Sequence, residues 1–322
     1  MKKYIVYIIF MLTNVCIFTF LLIYISNTGL NKSEKADKPK IVLISHVYSN
    51  PYWQYVKQGA EDAAKERGAV IEFKGPNTDS IKEGIKFIDM AIYAKVQGII
   101  TYVQDENEYK PYINKAIERG IPLITVDSDA ETSNRLAYVG TDNVKAGEVA
   151  AKELMKKIGT NGNVFILMGG KEVKNQIERV KGFSNYISTH SNIHITNIEG
   201  SGAYLLESEL ATRKILSKNH KINAIFCPSA LGSVGAAKAV ESMNLKGKVS
   251  IIGFDDLPET IANISKGVTY ATIVQRPYEM GYKSVNLIMD NLQGKKINGK
   301  YITDVKVVDE SNLDSYLRGD IK

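Results

Sequence analysis

The sequence predicts an α/β protein made of two doubly wound parallel-sheet lobes, preceded by one transmembrane helix. From Lys40 onward, short apolar runs rich in Ile and Val alternate with amphipathic stretches. That is the pattern of parallel strands covered by helices on both faces. The rhythm restarts near Thr141, and 322 residues suit two domains of about 100–200 residues each better than one large sheet. Ahead of both, the stretch from Tyr4 to Ile25 contains no charged side chain.

The 22 residues from Tyr4 to Ile25 form the first element. At about 1.5 Å per residue their helix would span about 33 Å, enough to cross a hydrocarbon core of about 30 Å. Lys2 and Lys3 precede it, which places the N-terminus in the cytoplasm and the body outside the cell. The apolar run is longer than the roughly 7–15 residues of a cleaved signal peptide. No small-residue cleavage pattern follows it, since the exit reads Ile25-Ser26-Asn27-Thr28. Cys16 follows Asn14 and Val15 rather than the small residues of a lipid-attachment site. Residues 1–26 are therefore expected to be an uncleaved anchor, and the polar residues 27–39, ending at Pro39, a short stalk.

In the first half, strands are expected at 41–45, 70–73, 98–103 and 122–126, with helices at 52–67, 81–94 and 109–119. Gly68, Gly98 and Gly120 fall where helices stop or strands begin. In the second half, strands are expected at 163–168, 193–198, 224–226 and 250–254, with helices at 143–158, 172–188, 207–218 and 231–243. The segment 96–100 echoes 221–226, each following a helix and opening a strand. Doubly wound sheets bind ligands beyond the carboxyl ends of their strands. Two such lobes facing each other would place those ends around one cleft.

Charge excludes one class of partner. The net charge is +6, but the first 40 residues hold six lysines against two acids, leaving 35 basic and 33 acidic side chains in the rest. A nearly neutral body does not suit a nucleic-acid-binding surface. Two cysteines, Cys16 and Cys227, do not make a disulfide framework. No strand is followed by G-x-G-x-x-G, and no phosphate-binding G-x-x-x-x-G-K-[ST] is present. His190 and His194 stand four apart, but Asn192 and the β-type run after it break any shared helical face. Cys227 ends an apolar strand and reads as a small hydrophobe. No catalytic constellation, metal site or cofactor site emerges, so the expected activity is binding rather than turnover.

At the strand ends the chain resembles the periplasmic sugar-binding proteins of the ribose/xylose type, whose lobes are shared by sugar-binding repressors. Six segments in order carry the resemblance: Ser49-Asn50-Pro51-Tyr52-Trp53, Gly120 through Asp127, Gly140-Thr141-Asp142-Asn143, Arg179-Val180-Lys181-Gly182-Phe183, Ile251-Ile252-Gly253-Phe254-Asp255 and Ala271-Thr272-Ile273-Val274-Gln275. It extends over about residues 40–310. The resemblance implies three crossovers between the lobes, near Thr141, Gln275 and Asp304. The first lobe would then be 40–141 plus 276–304, and the second 142–275 plus 305–318. The repressors carry a helix-turn-helix where this chain has its apolar segment, so DNA binding is not implied.

The resemblance also implies a ligand site. Sugars offer hydroxyls and flat C–H faces, which call for paired hydrogen-bonding groups and aromatic walls. Tyr52 and Trp53 match an aromatic pair of the family, and His46 ends the first strand, where a polar contact is common or a core histidine could sit. Asp127 and Asp255 match two acidic ligands, although aspartate at such positions also caps helices. Gln275 matches an amide at a crossover. Tyr102 falls where many relatives have asparagine, with Gln104 and Asp105 in the same loop. Asn175 and Arg179 share a face, the arginine either reaching the ligand or bracing the loop. Tyr204 lies near an aromatic wall position of the second lobe.

Three departures argue against ribose itself. Ser128 follows Asp127 where ribose-type relatives have arginine, Ile177 replaces a second arginine, and Ser229 replaces an asparagine. The anchored arrangement resembles xylose-sensing relatives that work with a membrane histidine kinase of a two-component system. D-xylose and such a kinase are therefore the expected ligand and partner. The alternative is a tethered binding protein that hands sugar to the permease of an ABC importer.

Overall fold

The computed structural model describes residues 2–29, 38–202 and 204–320. It divides into two units, Met1–Pro39 and Lys40–Lys322. Most of the expected stalk, residues 30–37, lies outside the described residues.

In the first unit, helix α1 runs Lys2–Gly29, three residues beyond the expected end of the anchor. Within it, Lys3–Tyr24 is long and apolar enough to cross a membrane. Three of its polar side chains turn back on their own helix. Thr13 Oγ1 and Asn14 Nδ2 both donate to the Phe10 carbonyl, at 2.9 and 2.8 Å, and Thr19 Oγ1 donates to that of Val15 at 2.9 Å. A polar group that finds a partner within its own segment needs none from the surrounding lipid.

The second unit holds two six-stranded sheets. The first is laid down by β1 (Lys40–Ile44), α2 (Pro51–Arg67), β2 (Val70–Lys74), α3 (Ile81–Tyr93), β3 (Gly98–Thr101), α4 (Glu106–Glu118), β4 (Leu123–Val126) and β5 (Ala137–Thr141). The second follows with α5 (Asn143–Ile158), β6 (Asn161–Met168), α6 (Lys174–His190), β7 (Asn192–Gly200), α7 (Leu205–Lys218) and β8 (Ala224–Phe226). It continues through α8 (Ala230–Ser242), β9 (Ser250–Phe254), α9 (Pro258–Ser265) and β10 (Ala271–Val274). The chain then returns to the first lobe for α10 (Pro277–Leu292) and β11 (Lys300–Thr303), and ends in the second with β12 (Lys306–Asp309) and α11 (Leu313–Leu317). The lobes are thus joined by three crossovers: between β5 and α5, between β10 and α10, and between β11 and β12.

Strand order is β2-β1-β3-β4-β5-β11 in one sheet and β7-β6-β8-β9-β10-β12 in the other. The pairings are parallel except the last, where β12 runs antiparallel to β10. In each sheet the winding reverses beside the first strand, between β1 and β3 and between β6 and β8. These are the crevices where open α/β sheets bind ligands.

The helices that cover the sheets approach one another closely. A Cβ added at Gly59 of α2 would sit 2.0 Å from the Tyr278 carbonyl oxygen of α10, and one at Gly281 would sit 1.9 Å from that of Val56. In the second lobe, Gly147 of α5 and Gly182 of α6 stand in the same relation to the carbonyls of Arg179 and Val144, each at 1.9 Å. Both helix pairs therefore pack backbone to backbone. Phe183, next to Gly182, is fully buried and stacks on Phe226 with ring centroids 4.3 Å apart. This gives the Gly182-Phe183 motif its physical reason.

Hydrophobic periodicity located most elements to within a few residues but missed β5, α9, β10, α10, β11, β12 and α11. The four strands among these are only four or five residues long, and β5 contains Gly140. Helix α4 starts at Glu106 rather than Tyr109, because Asp105 caps it. Helix α6 ends at His190 and β7 begins at Asn192, so His190 and His194 share no helix.

Candidate functional site

The carboxyl ends of both sheets surround one cavity, lined by His46, Asn50, Tyr52, Trp53, Tyr102 and Asp127 from the first lobe. The second lobe contributes Asn175, Gln176, Arg179, Ser229, Ala230, Leu231 and Asp255, and Gln275 lies at the second crossover.

The first-lobe wall is aromatic. Asn50 caps α2, its side chain accepting from the Tyr52 amide at 3.0 Å, and Pro51 occupies the first turn. That cap fixes Tyr52 and Trp53 at the start of the helix, beneath the end of β1. Trp53 meets Tyr52 and Tyr102 edge to face, each with centroids 5.6 Å apart. The His46 ring lies 4.7 Å from that of Tyr102. His46 Nε2 is 2.9 Å from Asp79 Oδ1. Burial pushes the phenols of Tyr52 and Tyr102 well above their usual range, so both hydroxyls remain neutral donors.

Two aspartates face each other across the cavity in matching backbone positions. Asp127 follows β4 with φ 64°, and Asp255 follows β9 with φ 65°. Left-handed backbone is uncommon outside glycine, and aspartate tolerates it better than most residues. The Asp127 amide donates to the Val139 carbonyl at 3.0 Å, and the Asp255 amide to that of Ile273 at 2.8 Å. Neither carboxylate caps a helix. Asp127 accepts from the Tyr52 hydroxyl at 2.8 Å and from Asn175 Nδ2 at 2.7 Å. Asp255 accepts from Gln275 Nε2 at 2.9 Å.

Arg179 both faces the cavity and braces it. It donates to Asn143 Oδ1 at 2.9 Å, to the Pro228 carbonyl at 2.9 Å and to Gln275 Oε1 at 2.8 Å. Its guanidinium lies 4.2 Å from the centroid of Phe254 and 4.0 Å from Asp127 Oδ1. One cation thus serves two buried carboxylates. Burial raises the Asp127 carboxyl above its usual range, against the pull of Arg179. It raises Asp255 to about 7, against the pull of Arg179 and the Gln275 hydrogen bond.

Two polar atoms in this lining have no partner: Asn175 Oδ1 and Ser229 Oγ are buried without a hydrogen bond. Buried polar groups are nearly always satisfied. A cavity offering aromatic faces, two carboxylates, a guanidinium and two unpartnered polar atoms matches a small, uncharged, hydroxyl-rich molecule.

Ten of the thirteen residues singled out in the sequence meet at this cavity: His46, Tyr52, Trp53, Tyr102, Asp127, Asn175, Arg179, Ser229, Asp255 and Gln275. Gln104, Asp105 and Tyr204 are not part of the lining. Gln104 Nε2 turns to Asp79 Oδ1 at 2.6 Å. The Asp105 side chain accepts from the Glu108 amide at 3.0 Å as the cap of α4. Tyr204 opens α7 and is 45% exposed. Asn50, Gln176, Ala230 and Leu231 were missed. Asn50 stands inside a motif already singled out, and Gln176 shares a helical face with Arg179 three residues on. Ala230 and Leu231 carry no polar signal that could have marked them.

The family model for the periplasmic binding protein domain matches residues 41–296. A solved XylFII–LytSN complex contains a chain 59% identical to this one, with a TM-score of 0.82, over 85% of this chain and 98% of that one. GanP, a glucose-galactose binding protein from Geobacillus stearothermophilus, is 39% identical with a TM-score of 0.83, over 86% of this chain and 99% of that one. The ribose import binding protein RbsB of Bacillus subtilis (strain 168) is 28% identical over 273 residues, 84% of this chain and 86% of that protein.

Proposed function

The chain belongs to the periplasmic binding protein domain family, and on that premise we propose that it is a membrane-anchored extracellular receptor for a monosaccharide, D-xylose first. It closes on the sugar and signals to a membrane histidine kinase of a two-component system. It acts by binding, without turnover. The observation that carries this is the pair Asp127 and Asp255, held in matching left-handed positions on opposite lobes and facing one cavity. A sugar bridging them makes its full set of contacts only when the lobes are together, so it shifts the lobe equilibrium by its differential affinity.

Likeness to a chain solved in the XylFII–LytSN complex supports a protein partner, and likeness to a xylose/arabinose-binding protein of Sulfolobus acidocaldarius, over 76% of this chain, supports xylose. The apolar segment Lys3–Tyr24 supports the anchor, and Lys2 and Lys3 ahead of it support a cytoplasmic N-terminus. A second reading, a tethered binding protein of an ABC importer, is favoured by likeness to ribose import binding proteins over 84% of the chain.

Thermal-shift screening of the protein against pentoses and hexoses tests the ligand. A true ligand at a hundredfold its dissociation constant should add about 2.7 kcal/mol of stability. No shift with any sugar would end the receptor reading. Co-purification of a histidine kinase from solubilised membranes supports the sensor, and loss of sugar uptake on deletion supports the importer.

A further inference from the structure

The lobes also meet outside the cavity, through two residues at the start of α6. Val173 stands at the N-cap of that helix, where Ser, Thr, Asp or Asn would accept a hydrogen bond from the first turn. Valine cannot, and no side chain caps α6. Its side chain is instead 2% exposed and belongs to an apolar cluster otherwise drawn from the first lobe. The next residue, Lys174, pairs with Glu106 at the start of α4 in the first lobe. The other carboxylate oxygen of Glu106 accepts from the Thr132 amide at 2.6 Å, which holds it in place. Neither Val173, Lys174 nor Glu106 lines the cavity.

We propose that Val173 and Lys174 form a latch between the lobes that sets how readily they close, so that affinity is tuned by residues that touch no ligand. The local preference of a helix start has been overridden at position 173 in favour of an apolar contact with the opposite lobe. Such a contact exists only while the lobes are together. It raises the fraction of molecules competent to hold ligand, and apparent affinity scales with that fraction. The affinity readout rests on the sugar-receptor reading of the cavity, whereas the lobe-distance readout does not.

Val173→Ser separates the latch from mere stability, because it supplies the missing cap while removing the apolar contact. The test uses the full chain in detergent with a Cys16→Ser background and spin labels at Lys86→Cys and Lys214→Cys, one exposed site on each lobe. Without ligand, Val173→Ser should lengthen the mean distance between labels and leave the melting temperature equal or higher. It should weaken D-xylose binding about tenfold, equivalent to about 1.4 kcal/mol. Lys174→Glu should weaken binding about threefold, and adding Glu106→Lys should restore most of that loss. Unchanged distance and affinity in Val173→Ser would overturn the latch, as would a loss in Lys174→Glu that the second change does not recover. If D-xylose binds no variant, including the unmodified cavity, the receptor reading for xylose fails. The ligand-free distance then decides the latch alone, a longer one supporting it and an unchanged one overturning it.

Discussion

The two lobes share a scaffold and differ in what they place on it. Each has the same strand order, the same close glycine crossing of two covering helices, and one left-handed aspartate after its fourth strand in chain order. Yet the first lobe lines the cavity with His46, Tyr52, Trp53 and Tyr102, and the second with Asn175, Gln176, Arg179 and Ser229. One wall suits the flat C–H face of a sugar, and the other suits its hydroxyls. The comparison teaches that the backbone of such a site can be duplicated while its chemistry is divided. Geometry comes from the common fold, and selectivity from the asymmetry of the loops.

The sharpest way to break that comparison is to neutralise the matched aspartates separately. Asp127→Asn and Asp255→Asn keep a residue that tolerates left-handed backbone, so the effect falls on the charge. A hydrogen bond to a charged group contributes about 1.5–3 kcal/mol. Asparagine keeps one acceptor oxygen and sets an NH2 group in place of the other. One charged hydrogen bond from a ligand hydroxyl is then lost and the second becomes neutral. That should cost about 3 kcal/mol of sugar binding in either variant, measured by titration calorimetry. If only one variant weakens binding, the symmetry is structural and the ligand is held by a single carboxylate.

Next in size is a test of the scaffold itself. Gly59→Ala in the first lobe and Gly182→Ala in the second each push a methyl group against a backbone carbonyl at about 2 Å. Overpacking costs about 1–3 kcal/mol in ordinary cores, and here the obstacle is backbone that cannot rotate away. Both should lose about 3 kcal/mol in denaturant unfolding. Unequal losses would show that the lobes do not share their helix packing as a common support.

The buried carboxyls make a pH prediction of a definite sign. Asp255 is raised by burial from its ordinary value of 3.8 to about 7. Its folded form therefore holds a proton that the unfolded chain releases. The stability it contributes is complete below about pH 4 and is lost as pH rises through 7. Sugar hydroxyls donate to the ionised form, so affinity should move the other way and improve as pH rises through that value. Asp255→Asn should make both profiles shallower across pH 4–7, leaving the share of Asp127, whose carboxyl burial also raises. Profiles unchanged by the substitution would assign the pH dependence to groups other than Asp255.

Much of this was legible before the structure because strand ends are chemically distinctive. Asp127, Asp255 and Gln275 each follow an apolar run, and the glycines in the motifs mark places where only a bare backbone fits. What escaped was of two kinds. Four-residue strands such as β11 and β12 are too short for periodicity to separate from loops. A polar residue type also does not reveal which way its side chain turns. Gln104 lies one residue beyond Val103 in the same loop as Tyr102, yet it bonds Asp79 instead of facing the cavity. Tertiary contact decided that, and nothing in the local pattern encodes it.

Asp105 gives the finest version of the same comparison, because it is an aspartate near the cavity doing a different task from Asp127. Its backbone is extended, with φ −127° and ψ 124°, and its carboxylate accepts from the Glu108 amide at the first turn of α4. Asp127 has left-handed backbone and bonds side chains from both lobes. Removing a cap costs about 1 kcal/mol. Asp105→Ala should therefore lower unfolding stability by that amount and leave sugar affinity within about twofold, since 1.4 kcal/mol corresponds to tenfold. Asp105→Ser, which can cap, should recover the stability. An affinity loss in Asp105→Ala that Asp105→Ser does not recover would move Asp105 from support into the binding surface. The aromatic wall of the first lobe would then have a second acid behind it.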